Sequence, residues 1–276
     1  MPLFFSVPLF LPAPISRAPI LQTNELVFLL SHASNRSFGY ALISKGSGGG
    51  GNTILTPPAD ADFQWFCDNY SQTTSAQQHT VDVLLDYVGE TTDSCGAAMS
   101  ALIYTPGLYL SESGITDIQP FSGLSYVFEL YLDGNEITSI PADSFAGMTG
   151  MAILDLSDNK IASIDPGGLV APIYLMQLQL SGNLLTALPN NGLGLAHLQV
   201  LDLGHNRIGQ IGSNDLAGLG SLKILNYHAN RVASIASSSF SHLGALETLN
   251  FLNNLITIDP SDHTHYGIHG GITVHQ

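Results

Sequence analysis

The chain has 276 residues, with 22 acidic against 7 basic side chains and a formal net charge of −15 at pH 7. Such a balance repels polyanions and argues against nucleic acid or an anionic membrane surface as partner. No Lys or Arg lies between Lys45 and Lys160, an interval that holds 15 acidic residues, so the excess charge sits in the first half.

Residues 1–51 read as a leader or poorly ordered segment that ends in a linker. Met1-Pro2-Leu3-Phe4-Phe5 opens an apolar stretch to Ile15, broken by Pro8, Pro12 and Pro14 and without the basic start of a standard signal peptide. The export signal is therefore atypical. The later apolar stretch Leu26 to Leu30 falls far short of the ~20 residues that cross a bilayer. Gly46-Ser47-Gly48-Gly49-Gly50-Gly51 has the composition of a flexible linker. It lacks the Gly-Lys-Ser/Thr of a phosphate-cradling loop. Asn35-Arg36-Ser37 and Asn69-Tyr70-Ser71 fit the N-glycosylation pattern, a chance expectation in a chain of this length.

Residues 52–106 read as a helical cap. Phe63, Phe66, Cys67 and Tyr70 follow the i, i+3, i+4, i+7 spacing of one helix face. Val81, Leu84, Leu85 and Val88 repeat it, with Asp82 and Asp86 on the outer side and Gly89 as a stop.

Residues 107–259 carry a repeat. The pattern Leu-x-Leu-x-x-Asn recurs with its asparagines at Asn135, Asn159, Asn183, Asn206, Asn230 and Asn254, spaced 24, 24, 23, 24 and 24 apart. Side chains alternate across a strand, so the two leucines of a unit face inward and the residue between them faces out. Val127, Met151, Leu175, Leu198, Leu222 and Leu246 supply a further core position, as do Phe145, Leu169, Leu193, Leu216 and Phe240 on the return path. An asparagine side chain, with donors and an acceptor, suits the buried backbone where the chain turns inward. A degenerate unit, Leu108-Tyr109-Leu110 with Ser113 in the asparagine position, opens an array of about seven coils.

Residues 260–276 are either a closing segment or a truncated coil. Asp259 stands where Ile140, Ile164, Leu188, Ile211 and Ile235 stand earlier, so the frame slips by one. A closing segment would be built on Tyr266, Ile268, Ile272 and Val274. Asp262, His263, His265 and His269 have the donor chemistry for zinc, but their spacing matches no standard zinc motif. They read as a polar tail.

A fixed period near 24 with this motif resembles the leucine-rich repeat family in its 24-residue class, over roughly Leu108 to Asp259. The resemblance implies an α/β solenoid, a right-handed horseshoe with a concave parallel β-sheet and a helical N-terminal cap. Secreted members commonly close the first coil with a disulfide-bonded cap. Cys67 and Cys95 both lie ahead of the array and fit such a bridge, with free buried thiols as the alternative. Phe63-Gln64-Trp65-Phe66-Cys67, His79 to Leu85 and Gly114 to Phe121 resemble the cap and first coil of secreted bacterial internalin-type proteins.

No nucleophile elbow, paired-histidine metal helix or P-loop occurs, so the sequence supplies no catalytic site and calls for no cofactor. The expected function is non-enzymatic binding of a protein or peptide with a basic patch, by a secreted or cell-surface protein. The alternative is a structural or adhesive surface or matrix component that binds calcium weakly. The exposed concave row then begins with Tyr109, Glu129, Tyr131 and Asp133, and continues through Ile153, Asp155, Ser157 and Gln179. It ends with Asp202, His205, Asn226, His228 and Asn250. The oligomeric state stays open.

Overall fold

A computed structural model describes residues 53–189, 192–258 and 263–276. The leader and glycine linker assigned to 1–51, and Asp259 and Asp262, lie outside the described residues. Among the described residues no helix is long and apolar enough to cross a membrane.

Three helices form the cap: α1 (Phe63–Asp68), α2 (Ser75–Val88) and α3 (Cys95–Ile103). Asp62 caps α1 by accepting a hydrogen bond from Trp65 N at 3.0 Å, and Thr74 with Gln77 forms a capping box at the start of α2. Gly89 ends α2 in the left-handed conformation at φ 72°. Tyr70 does not continue the face of α1. The helix stops at Asp68 because Asn69 turns its amide back to Trp65 O at 2.8 Å, and Tyr70 enters a 3-10 turn where its hydroxyl donates to Asp82 of α2. Phe63, Phe66, Val81, Leu84, Ala98 and Leu102 are buried between the helices. A disulfide joins Cys67 to Cys95 and ties α1 to α3.

The array is one parallel sheet of eight short strands separated by seven turns. In spatial order these are β1 (Gly107–Tyr109), β2 (Glu129–Tyr131), β4 (Ile153–Asp155), β6 (Gln177–Gln179), β7 (Val200–Asp202), β9 (Ile224–Asn226), β11 (Thr248–Asn250) and β12 (Thr273–His275). On the return path β3 (Ser139–Ile140) pairs with β5 (Ser163–Ile164), and β8 (Gln210–Ile211) with β10 (Ser234–Ile235). The core is continuous from coil to coil: the strand leucines, the residues three before them and the return-path apolar residues are all buried. In two copies the strict motif gives way to aromatics, Tyr227 and Phe251 standing where the second leucine belongs. Both are buried, with ring centroids 6.2 Å apart. Burial drives the Tyr227 phenol far above its ordinary pKa.

Each asparagine joins its own coil to the one before. Asn183 accepts from Ile161 N at 2.9 Å and donates to Leu156 O and Leu180 O at 2.8 and 3.1 Å. The same three bonds recur at Asn135, Asn159, Asn206, Asn230 and Asn254. The residue before each asparagine is left-handed: Gly134, Asp158, Gly182, His205, Ala229 and Asn253 all have φ between 50° and 71°. In the first coil, where Ser113 replaces asparagine, helix α2 bonds the backbone that follows the strand. His79 Nε2 lies 2.8 Å from Ser113 O, and Thr80 Oγ1 donates to Asp117 O at 2.6 Å.

At the other end α4 (His263–Tyr266) and β12 pack on the last coil. Phe251 N donates to His275 O at 2.7 Å, and Ile268 is buried. Thus β12 adds an eighth strand beyond the unit ending near residue 259. Ile258, one position early, is the buried residue that absorbs the frame slip.

Replacing Asn183 with Ala leaves the buried Ile161 N without a partner, takes one of two donors from Leu156 O and from Leu180 O, and opens a small void. We expect a loss of about 2–4 kcal/mol in denaturant unfolding, and a loss under ~1 kcal/mol would contradict the role given to the ladder. Ala229 holds a left-handed conformation that costs an L-residue roughly 1 kcal/mol, less the entropy that glycine adds to the unfolded chain. Ala229→Gly should raise stability by about 0.5 kcal/mol in the same measurement, and a decrease would refute that strain.

Candidate functional site: the concave sheet face

The register aligns the middle positions into one row. Tyr109, Tyr131, Asp155, Gln179, Asp202, Asn226 and Asn250 are successive partners across the sheet, and His275 extends them at the end. His275 could not be placed from the sequence because its strand carries no asparagine motif. Glu129 and Ile153 are partners in the parallel row two residues earlier.

The row opens on two aromatic rings. Tyr109 and Tyr131 stack with centroids 5.1 Å apart and planes 12° apart. Tyr109 is 59% exposed, and its hydroxyl donates to Glu129 Oε2 at 3.1 Å. Hydrogen bonding to that carboxylate, then its negative charge, raises the Tyr109 pKa above 10.0. Desolvation, then Glu129 and Asp155, raise that of Tyr131. Beside them Ser111 Oγ donates to Asp133 Oδ1 at 2.7 Å.

Several middle residues have a local task. Asp155 Oδ1 accepts from the amide and the hydroxyl of Ser157. Asp202 accepts from Gly204 N at 2.8 Å, Asn226 from His228 N at 3.1 Å and Asn250 from Leu252 N at 3.3 Å. These are Asx turns that satisfy the strand end, which accounts for the recurrence of Asp and Asn there. One carboxylate oxygen of Asp155 and of Asp202 is left for other contacts. Farther along, His205 and His228 meet edge to face at 4.4 Å, and His228 Nδ1 lies 2.8 Å from Asn226 Oδ1. A Cβ on Gly204 would come within 2.3 Å of the His228 ring, so glycine makes room for it. No group of three or more His, Cys, Asp or Glu positioned for a metal ion occurs among the described residues.

A second feature lies on the flank, where each coil enters its strand. A groove of about 530 Å³ is lined by Ala152, Tyr174, Met176, His197, Gln199, Gly220, Ser221, Lys223 and Ala245. None of the expected site residues belongs to it. The available signal was the apolar Phe128 and Met176 immediately before their strands, where Gln199, Lys223 and Glu247 stand in later coils.

The family model for the leucine rich repeat matches residues 125–185 and 173–232. These coils are similar to leucine-rich repeats. Decorin of Bos taurus is 46% identical over 87 residues, covering 32% of this chain and 24% of decorin. Decorin of Equus caballus is 41% identical over 106 residues, covering 38% and 29%. The chain thus spans about a quarter of the length of these curated relatives. Among solved structures, a TLR13–ssRNA13 complex superposes with a TM-score of 0.56 at 22% identity, covering 64% of this chain and 25% of that one. That likeness concerns the fold of the repeat array.

The Tyr109 shift can be checked by ultraviolet titration of tyrosinate. Glu129→Gln removes its largest causes, so one phenol in the repeat array should move down toward 10.0. An unchanged titration curve would contradict the hydrogen bond.

Proposed function

We propose that the concave face is a non-enzymatic binding surface for a protein or peptide bearing a basic patch. The observation that carries this is the stack of exposed Tyr109 on half-buried Tyr131 among Glu129, Asp133 and Asp155. Two parallel rings held by strand register are a rigid apolar platform at low entropic cost. Carboxylates around them favour a guanidinium or ammonium group that also stacks on an aromatic face. Lys160, the nearest cation in sequence, is engaged by Glu136 on the neighbouring coil. Tyrosine and isolated apolar residues such as Ile153 among polar neighbours have the composition of an interface core.

The cap disulfide supports secretion or display at the cell surface, because such bonds persist in oxidising compartments. The disulfide-tied helical cap supports kinship with internalin-type secreted proteins, which is part of the same proposal. The TLR13 structure is a complex with RNA. A net charge of −15 argues against RNA as ligand here.

The test is affinity capture from a broad extract by the full chain, with the Tyr131→Ala, Asp155→Ala double variant alongside. A partner retained by the wild type should bind the variant roughly 30-fold more weakly or worse, the loss of about 2 kcal/mol typical of a central anchor. It should also dissociate at raised salt. Equal capture by both proteins, with a calcium-dependent rise in Tm, would favour the structural, calcium-binding alternative instead.

A further inference from the structure

We propose that the flank groove is a second binding site, one that takes a short extended peptide combining apolar side chains with a carboxylate. The site is separate from the concave face in position and opposite to it in charge preference.

The exposed residues here follow the repeat. Tyr126 and Phe128 occupy the two outward positions before β2, and Tyr174 and Met176 occupy the same positions before β6. They are 55%, 47%, 57% and 44% exposed. Gly150 and Ala152 hold the equivalent positions in the coil between, so a low saddle separates two high points. Tyr104 of the cap extends the ridge, its ring 5.9 Å from that of Tyr126. An exposed apolar strip in frame with the coils has the continuity of an interaction surface, whereas scattered exposure has none.

Beyond Met176 the strip becomes the groove. Tyr174 and His197 form one wall, with ring centroids 5.6 Å apart. Gly220, Ser221 and Ala245 leave the far part shallow. Its volume of about 530 Å³ falls within the roughly 300–1,000 Å³ common for specific ligand sites. The groove crosses β4, β6, β7, β9 and β11, four inter-strand steps of about 4.8 Å. That is about 19 Å, the reach of about six extended residues at ~3.3 Å each.

Lys223 sets the charge preference. Its ammonium lies in the groove lining with no carboxylate within 4.0 Å among the described residues. Glu247, its neighbour in the next coil, is linked through a backbone bond to Lys223 O and is out of ion-pair reach. Lys160, by contrast, is paired with Glu136. A cation left unpaired beside an aromatic wall, in a chain of net charge −15, is complementary to an acid on an otherwise apolar ligand. Met176 and Lys223 are two coils apart, roughly 10 Å, so the carboxylate falls about three residues from the apolar anchor.

The experiment measures fluorescence anisotropy of labelled six-residue peptides on the full chain. The set carries one glutamate, with leucine, phenylalanine or alanine elsewhere, and a matched set carries lysine in its place. Glutamate peptides with a leucine or phenylalanine three positions away should bind best. Tyr174→Ser with Met176→Ser should weaken them about tenfold or more. Lys223→Glu should reverse the preference toward the lysine set. All three positions are exposed, and unchanged circular dichroism controls for folding. The Tyr131→Ala, Asp155→Ala variant should bind these peptides as the wild type does, so the groove and the concave reading fail or stand independently. Absence of saturable binding by the glutamate set, equal affinity for both sets, or indifference to the Tyr174 and Met176 changes would overturn the proposal. So would tight binding of a uronic-acid oligosaccharide in place of every peptide.

Discussion

Everything in the array depends on one side chain bridging two coils. Where the backbone turns inward after each strand, amides and carbonyls are buried with no sheet partner, and leaving them unpaired would cost about 1–3 kcal/mol each. The asparagine accepts from the previous coil and donates to both its own and the previous coil. Consecutive coils are thereby fixed within hydrogen-bond tolerance, and the strand register follows. Only because the register holds across β1 and β2 do Tyr109 and Tyr131 face each other as a stack. At Ser113 the arrangement lacks its amide, and helix α2 takes the place of a preceding coil through His79 and Thr80. The cap is therefore more than a lid over exposed leucines.

Much of this was legible in the sequence because it repeats. A spacing fixed near 24 residues and two alternating leucines determine the sheet, its inward positions and the turn where asparagine sits. The cysteine pair pointed to a bridged cap, with free thiols as the alternative, and the bond between α1 and α3 resolves it. Other features depend on local geometry that a period does not carry. The Asx turns at Asp155, Asp202 and Asn226 arise because each strand ends at that residue, so residues read as ligand contacts also hold the backbone. Tyr70 leaves the helix face because Asn69 caps it. Strand β12 has neither leucine pair nor asparagine and is held by pairing with β11 and by Val274 packed on the core. The flank groove sits at positions that the motif leaves free.

Charge gives the surface a direction. Acidic side chains gather around the tyrosine stack at the capped end, while Lys223, Arg207 and Arg231 belong to the later coils. A rigid sheet keeps the two regions apart, so each presents its own field to a partner. On the two proposals above, the early coils take a cation laid on an aromatic platform and the later flank takes an anion carried on an apolar stem.

The ladder also has a mechanical consequence. Each coil is secured chiefly by its neighbour, with stability passed along the array as a nearest-neighbour sum. A load applied at Gln276 would act first on β12, which no asparagine holds, and then on single rungs in turn. The chain would yield in increments of one coil, each releasing roughly 80 Å of extended backbone. The disulfide-tied cap would be the last part to give way. Such a molecule stretches as a graded tether, where a globular domain of equal size would fail at once.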